Sequence, residues 1–124
     1  MRRLFVLLAA AILAVPAALA QPASPTELEI VTDIAKCLVR GLPQDWVTAH
    51  MEFKLDSPGA TRGDVFYQVA RKGAEDKLES FTPCDPEMPP NLLLRLRGTQ
   101  EKQDWRVAKL VVERDGSFRL NYQY

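Results

Sequence analysis

The spacing of apolar residues changes repeatedly along this chain, and each change marks an element. Leu4 to Val15 is an unbroken apolar run of 12 residues behind a basic Met1-Arg2-Arg3. From Leu28 the spacing turns helical: Leu28, Val31, Ile34, Ala35 and Leu38 recur every three or four positions, and Glu27, Glu29, Asp33, Lys36 and Arg40 fill the rest. Ser24-x-x-Glu27 has capping-box spacing with Pro25 at the first helical position, and Gly41 and Pro43 stop the pattern. A helix is predicted near 25–40.

The period then becomes two. Val47, Ala49, Met51, Phe53 and Leu55 alternate with Thr48, His50, Glu52 and Lys54, the signature of a half-buried strand. After the turn cluster Asp56-Ser57-Pro58-Gly59, a second strand is predicted from Asp64 to Arg71, with Val65, Tyr67 and Val69 on one face and Lys72-Gly73 closing it. Leu78 to Thr82 is expected to form a short third strand. Pro83, Pro86, Pro89 and Pro90 make a stiff connection around Cys84, and Asn91 to Lys102 then has helical spacing, with Leu92, Leu93 and Leu96 as its stripe and Asn91 as its cap.

The last segment predicts a hairpin, Trp105 to Glu113 and Ser117 to Tyr124 about Asp115-Gly116. Opposed residues share a face, and a one-residue slip exchanges the faces. A two-residue loop sets Phe118 opposite Glu113 and Tyr122 opposite Lys109. A three-residue loop with Gly116 left-handed sets Phe118 opposite Val112, Leu120 opposite Leu110 and Tyr122 opposite Ala108, which segregates the apolar side chains. The second register is expected. The order α-β-β-(β)-α-β-β predicts an α+β fold: a mostly antiparallel sheet of 4–5 strands with helices packed on one face.

The first apolar run falls short of the roughly 20 residues that span a bilayer. Pro16 breaks it, and Ala18-Leu19-Ala20 offers the small residues of a signal-peptidase site before Gln21. Residues 1–20 are expected to be a cleavable signal peptide of the general secretory route, cut after Ala20, leaving a periplasmic protein that is not membrane-embedded. Residues 21–25 form a flexible lead and 26–124 a single domain. Without Arg2 and Arg3 the zero net charge becomes −2, with signs interspersed, which argues against a nucleic-acid partner. Export also changes the meaning of Cys37 and Cys84: two cysteines in an oxidising compartment are expected to form a disulfide rather than two buried thiols. A zinc-type metal site needs about four ligands, against two Cys and one His here.

Candidate chemistry is sparse. His50, the only histidine, lies mid-strand on the polar phase without a nucleophile motif. Asp85/Glu87 and Glu75/Asp76 sit in polar connections, glycine-rich phosphate loops are absent, and Arg95-x-Arg97 lies on a helix flank. No catalytic residue, cofactor or metal is expected. The tryptophans and their neighbours stand out instead. Trp105, Val107 and Val111 fall on the hairpin face opposite Val112, Leu110 and Ala108, and Trp46 takes the non-core phase with His50. Such residues are either covered by another part of the chain or form a partner-binding patch.

Asp45-Trp46 before a strand, Gly63-Asp64 before the next, Leu93-x-x-Leu96-Arg97, Asp104-Trp105, Asp115-Gly116-Ser117-Phe118 and Tyr122-x-Tyr124 together resemble the YezG-like immunity proteins. The resemblance spans roughly Leu28 to Tyr124 and implies a small α+β protein that neutralises a toxin by binding it, without catalysis. The familiar members are cytoplasmic and often acidic, whereas this chain is near-neutral with an export signal. A toxin partner acting in the periplasm, on wall, membrane or lipid, is therefore expected. The alternative is a periplasmic ligand-binding or envelope-accessory domain with the same fold.

Overall fold

A computed structural model describes residues 25–57, 59–100 and 104–124. The signal peptide, the residues of the lead up to 24 and the Ser24 cap lie outside the described residues. Helix α1 (Pro25–Val39) buries Ile30, Val31, Ile34 and Leu38. Leu28, expected in that stripe, is instead 49% exposed, and Ile30 takes a core position in its place. Gly41 ends the helix region where the chain passes so close to the Thr82 carbonyl that a Cβ would collide with it.

Strands β1 (Trp46–Leu55), β2 (Gly63–Arg71), β3 (Ala74–Ser80), β4 (Val107–Glu113) and β5 (Phe118–Gln123) form one antiparallel sheet in the order β3-β2-β1-β4-β5. The third strand starts four residues earlier than expected, because Lys72-Gly73 makes a tight hairpin that pairs Arg71 with Ala74, with Gly73 at φ 83°. The closing hairpin has the apolar register: Val112 faces Phe118, Leu110 faces Leu120 and Ala108 faces Tyr122. Gly116 is left-handed at φ 94°, and the Glu113 N–H donates to the Ser117 carbonyl at 2.8 Å.

Helix α2 (Met88–Arg97) begins three residues before the predicted start. Pro89 and Pro90 fall in its first turn, where backbone N–H groups have no helical acceptor and proline costs little. Glu87, not Asn91, is the N-cap, and its N–H is held by Asp85 Oδ1 at 3.0 Å. The end at Arg97 leaves Gly98 as C-cap.

Both helices pack on one face of the sheet. Their Ile34, Leu38, Leu93 and Leu96 meet Ala49, Met51, Phe53 and Leu55 of β1, with Ala108, Leu110 and Val112 of β4 beside them. Each such large side chain contributes about 1.5–3 kcal/mol relative to exposure. Cys37 on α1 is bonded to Cys84 ahead of α2, with Cα atoms 4.9 Å apart. The Cys84 N–H donates to the Cys37 carbonyl at 3.0 Å. In the chain-entropy model a loop of this span is worth ~4 kcal/mol. Tyr67 adds a second tie: its hydroxyl donates to the Pro86 carbonyl at 2.6 Å, and burial raises its pKa well above the usual phenol value.

Trp105 is wholly buried on the helix side, not on the opposite face. Strand alternation does not reach it, because β4 starts at Val107 and the chain bends at Arg106. The indole stacks on Tyr122 at 5.4 Å, meets Phe53 edge-on at 6.4 Å and lies 5.1 Å beneath the Arg97 guanidinium. Its Nε1–H donates to Gln100 Oε1 at 2.9 Å, Gln100 Nε2 donates to the Tyr122 hydroxyl at 2.9 Å, and that hydroxyl donates to Glu27 Oε2 at 2.8 Å. The chain of bonds ties β5 and the α2 exit to the start of α1. Trp105→Phe strands the Gln100 carbonyl and is expected to lower unfolding free energy by about 1–3 kcal/mol in urea titrations; a change below a few tenths contradicts this role.

Candidate functional site

The five residues singled out from the sequence are not one surface. His50 and Val111 are cross-strand partners on the face without helices. Val107 shares that face but is buried. Trp105 is in the core. Trp46 has crossed to the helix side: the β1–β2 register shifts between Trp46 and Thr48, pairing Trp46 with Arg71 and Thr48 with Ala70. The extra residue, Val47, reverses the alternation, as a bulge does.

Two rows cross the middle of the open face. One runs Gln68, His50, Val111, Arg119; the next runs Phe66, Glu52, Lys109, Asn121. Phe66 is 54% exposed and Leu78, on the neighbouring β3, 44%. Together with Val111 and His50 they border a depression of about 220 Å³ that also touches Glu52, Gln68 and Lys109. Glu52 and Lys109 form an exposed ion pair at 4.0 Å across this surface. The result is a surface on which three apolar side chains surround polar Gln68, His50 and Glu52, and no described helix covers it.

Phe66 and Leu78 were missed in the sequence, although their signal was present. Phe66 stands between Asp64 and Gln68 on the polar phase of β2, and Leu78 is the one large apolar residue of the charged strand AEDKLES. Each reads as an isolated exception in its own strand, and the fold brings both to the border of one depression.

On the helix side, Trp46 lines a separate open groove of about 640 Å³ between α1 and the β4–β5 hairpin, with Leu28, Val39, Val112 and Phe118. Arg114 fixes one end. Its Nη1 donates to the Gln44 and Trp46 carbonyls at 2.6 and 2.8 Å, and its guanidinium lies 5.5 Å from the Trp46 ring centre.

Among the described residues, no cluster of His, Cys, Asp or Glu has the make-up of a metal site, and no helix is long and apolar enough to cross a membrane. His50 Nε2 lies 3.2 Å from Thr48 Oγ1. Burial lowers the His50 pKa, Glu113 opposes that shift and Arg119 adds to it. A histidine with a depressed native pKa binds fewer protons folded than unfolded, so its stabilisation is present above the ordinary histidine pKa and lost as pH falls through the native value. The wild type is thus expected to lose more thermal stability between about pH 7 and pH 5 than His50→Gln; identical slopes of Tm against pH contradict the assignment. No protein-family model and no curated protein matches this chain.

Proposed function

We propose that the chain is an exported, non-enzymatic immunity or inhibitor protein that neutralises a toxin in the periplasm by binding it through the open face of the sheet. The observation that carries this reading is the grouping of exposed Phe66 and Leu78 with half-buried Val111 around one depression, among the charges of Glu52 and Lys109. Large exposed apolar residues grouped on an otherwise polar face mark interaction sites. A depression of about 220 Å³ is below the roughly 300–1,000 Å³ of small-molecule sites, so this face suits a protein partner better.

Three further features support the reading. The first 20 residues have the n-region, apolar run and small-residue site of a signal peptide. The Cys37–Cys84 disulfide suits an oxidising compartment. The tryptophan, Asp-Gly-x-Phe and Tyr-x-Tyr positions resemble those of YezG-like immunity proteins, whose members act by binding.

Cells that make the chain with its leader are expected to survive a toxin encoded beside its gene when that toxin is delivered to the periplasm, but not when it is confined to the cytoplasm. Phe66→Glu combined with Leu78→Glu is expected to weaken toxin binding by at least about tenfold, with a melting curve close to wild type because both side chains are exposed. Equal protection by the double variant, or no protection by the wild type, contradicts the proposal.

A further inference from the structure

The groove beside Trp46 differs chemically from the open face. Its floor and walls are apolar, from Leu28 and Val39 on α1, Trp46 on β1 and Phe118 on β5. Leu28 and Val39 are 49% and 45% exposed, so α1 leaves apolar surface on its groove side as well as burying a core stripe. The volume of about 640 Å³ lies within the range of small-molecule sites, roughly 300–1,000 Å³.

Three cations border this trough: Lys36 in the last turn of α1, Arg40 just past the helix end, and Arg114 at the hairpin. Arg114 is held in place by two backbone carbonyls and the Trp46 ring. Neither Lys36 nor Arg40 has an ion-pair partner within 4.0 Å among the described residues. The single carboxylate on the groove, Glu113, is engaged by Arg119 at 3.8 Å. The margin is therefore positive while the interior is apolar.

We infer that this groove is a binding site for a free single-chain anionic amphiphile, its hydrocarbon chain along Leu28, Val39, Trp46 and Phe118 and its carboxylate or phosphate head at Lys36, Arg40 and Arg114. The apolar wall supplies affinity through burial of the chain. The cations select the sign of the head through charge-assisted hydrogen bonds, for which the arginines offer forked donors. A neutral or cationic head gains nothing at this margin. The site lies across the sheet from the patch proposed to meet a protein partner, so the two proposals stand or fall separately.

The probe is dodecanoate, below its micelle concentration, titrated into the purified chain by calorimetry with tryptophan fluorescence in parallel. Saturable one-to-one binding is expected, with a fluorescence change from half-buried Trp46. Dodecyltrimethylammonium, whose head has the opposite charge, and acetate, which lacks the chain, are expected to bind at least about tenfold more weakly, the scale of one charge-assisted hydrogen bond. Lys36→Glu with Arg40→Glu should weaken dodecanoate by a similar factor and erase the preference over the cationic amphiphile. Lys54→Glu, on the open face, should leave both unchanged. Both variants change exposed side chains, and matching circular dichroism melts verify their folds. Several outcomes overturn the inference: equal affinity for the two amphiphiles, uptake that does not saturate, or binding only to anionic vesicles. So does failure to bind because a second copy or the chain's own leader fills the groove, seen as a dimer or a leader contact that Leu28→Glu abolishes.

Discussion

Both helices lie on one side of the sheet, and the Cys37–Cys84 bond together with the Trp105 hydrogen-bond chain holds them there. The disulfide joins α1 to the approach to α2. Trp105, Gln100, Tyr122 and Glu27 join the exit of α2 and the last strand back to the start of α1. Between these two ties, Phe53, Met51, Leu110 and Trp105 are almost wholly removed from water. The apolar stripes of both helices are used on that side. None remains for the second face, which keeps Phe66 and Leu78 exposed. The exposed apolar surface is thus a consequence of how the core is closed.

Much of this was legible in the chain. The hairpin register followed from requiring Phe118, Leu120 and Tyr122 to share a face with Val112, Leu110 and Ala108, and the structure has those pairs. The disulfide followed from two cysteines and an export signal. The first helix followed from its spacing and its end signals, apart from Leu28, whose phase borders the core stripe and faces the groove. What escaped were places where a local rule is interrupted. The Val47 bulge reverses the phase of Trp46 alone, and the bend at Arg106 does the same for Trp105. Neither position contains glycine or proline, so composition gives no warning. The early start of α2 escaped because two prolines read as a breaker when they serve as a first turn. The patch escaped because Phe66 and Leu78 come to border one depression only in the assembled sheet, and periodicity within one strand carries no information about its neighbour.

The two sides of the sheet present different chemistry to a partner. The open face offers apolar side chains among charges of both signs, which suits complementary packing over a wide, shallow area. The groove offers a concave apolar wall with an excess of positive charge. Near-neutral overall charge argues against long-range steering by the whole molecule, so selectivity must come from such local arrangements. The edge strands add their own constraint. Exposed β3 carries Glu75, Asp76, Lys77 and Glu79 along its length, charges that discourage strand-to-strand association, leaving faces rather than that edge as the surfaces available for recognition.

Hydroxyl-radical footprinting of the chain, free and bound to the proposed toxin partner, tests the central claim most directly. It reads side-chain exposure on both faces of the sheet in one measurement. Phe66, Leu78 and Val111 are predicted to be oxidised readily in the free protein and protected in the complex, while Leu28 and Val39 react alike in both states and Trp105 stays unreactive throughout. Protection confined to Leu28, Val39 and Trp46, with Phe66 and Leu78 still reactive in the complex, would contradict the assignment of the open face as the partner surface.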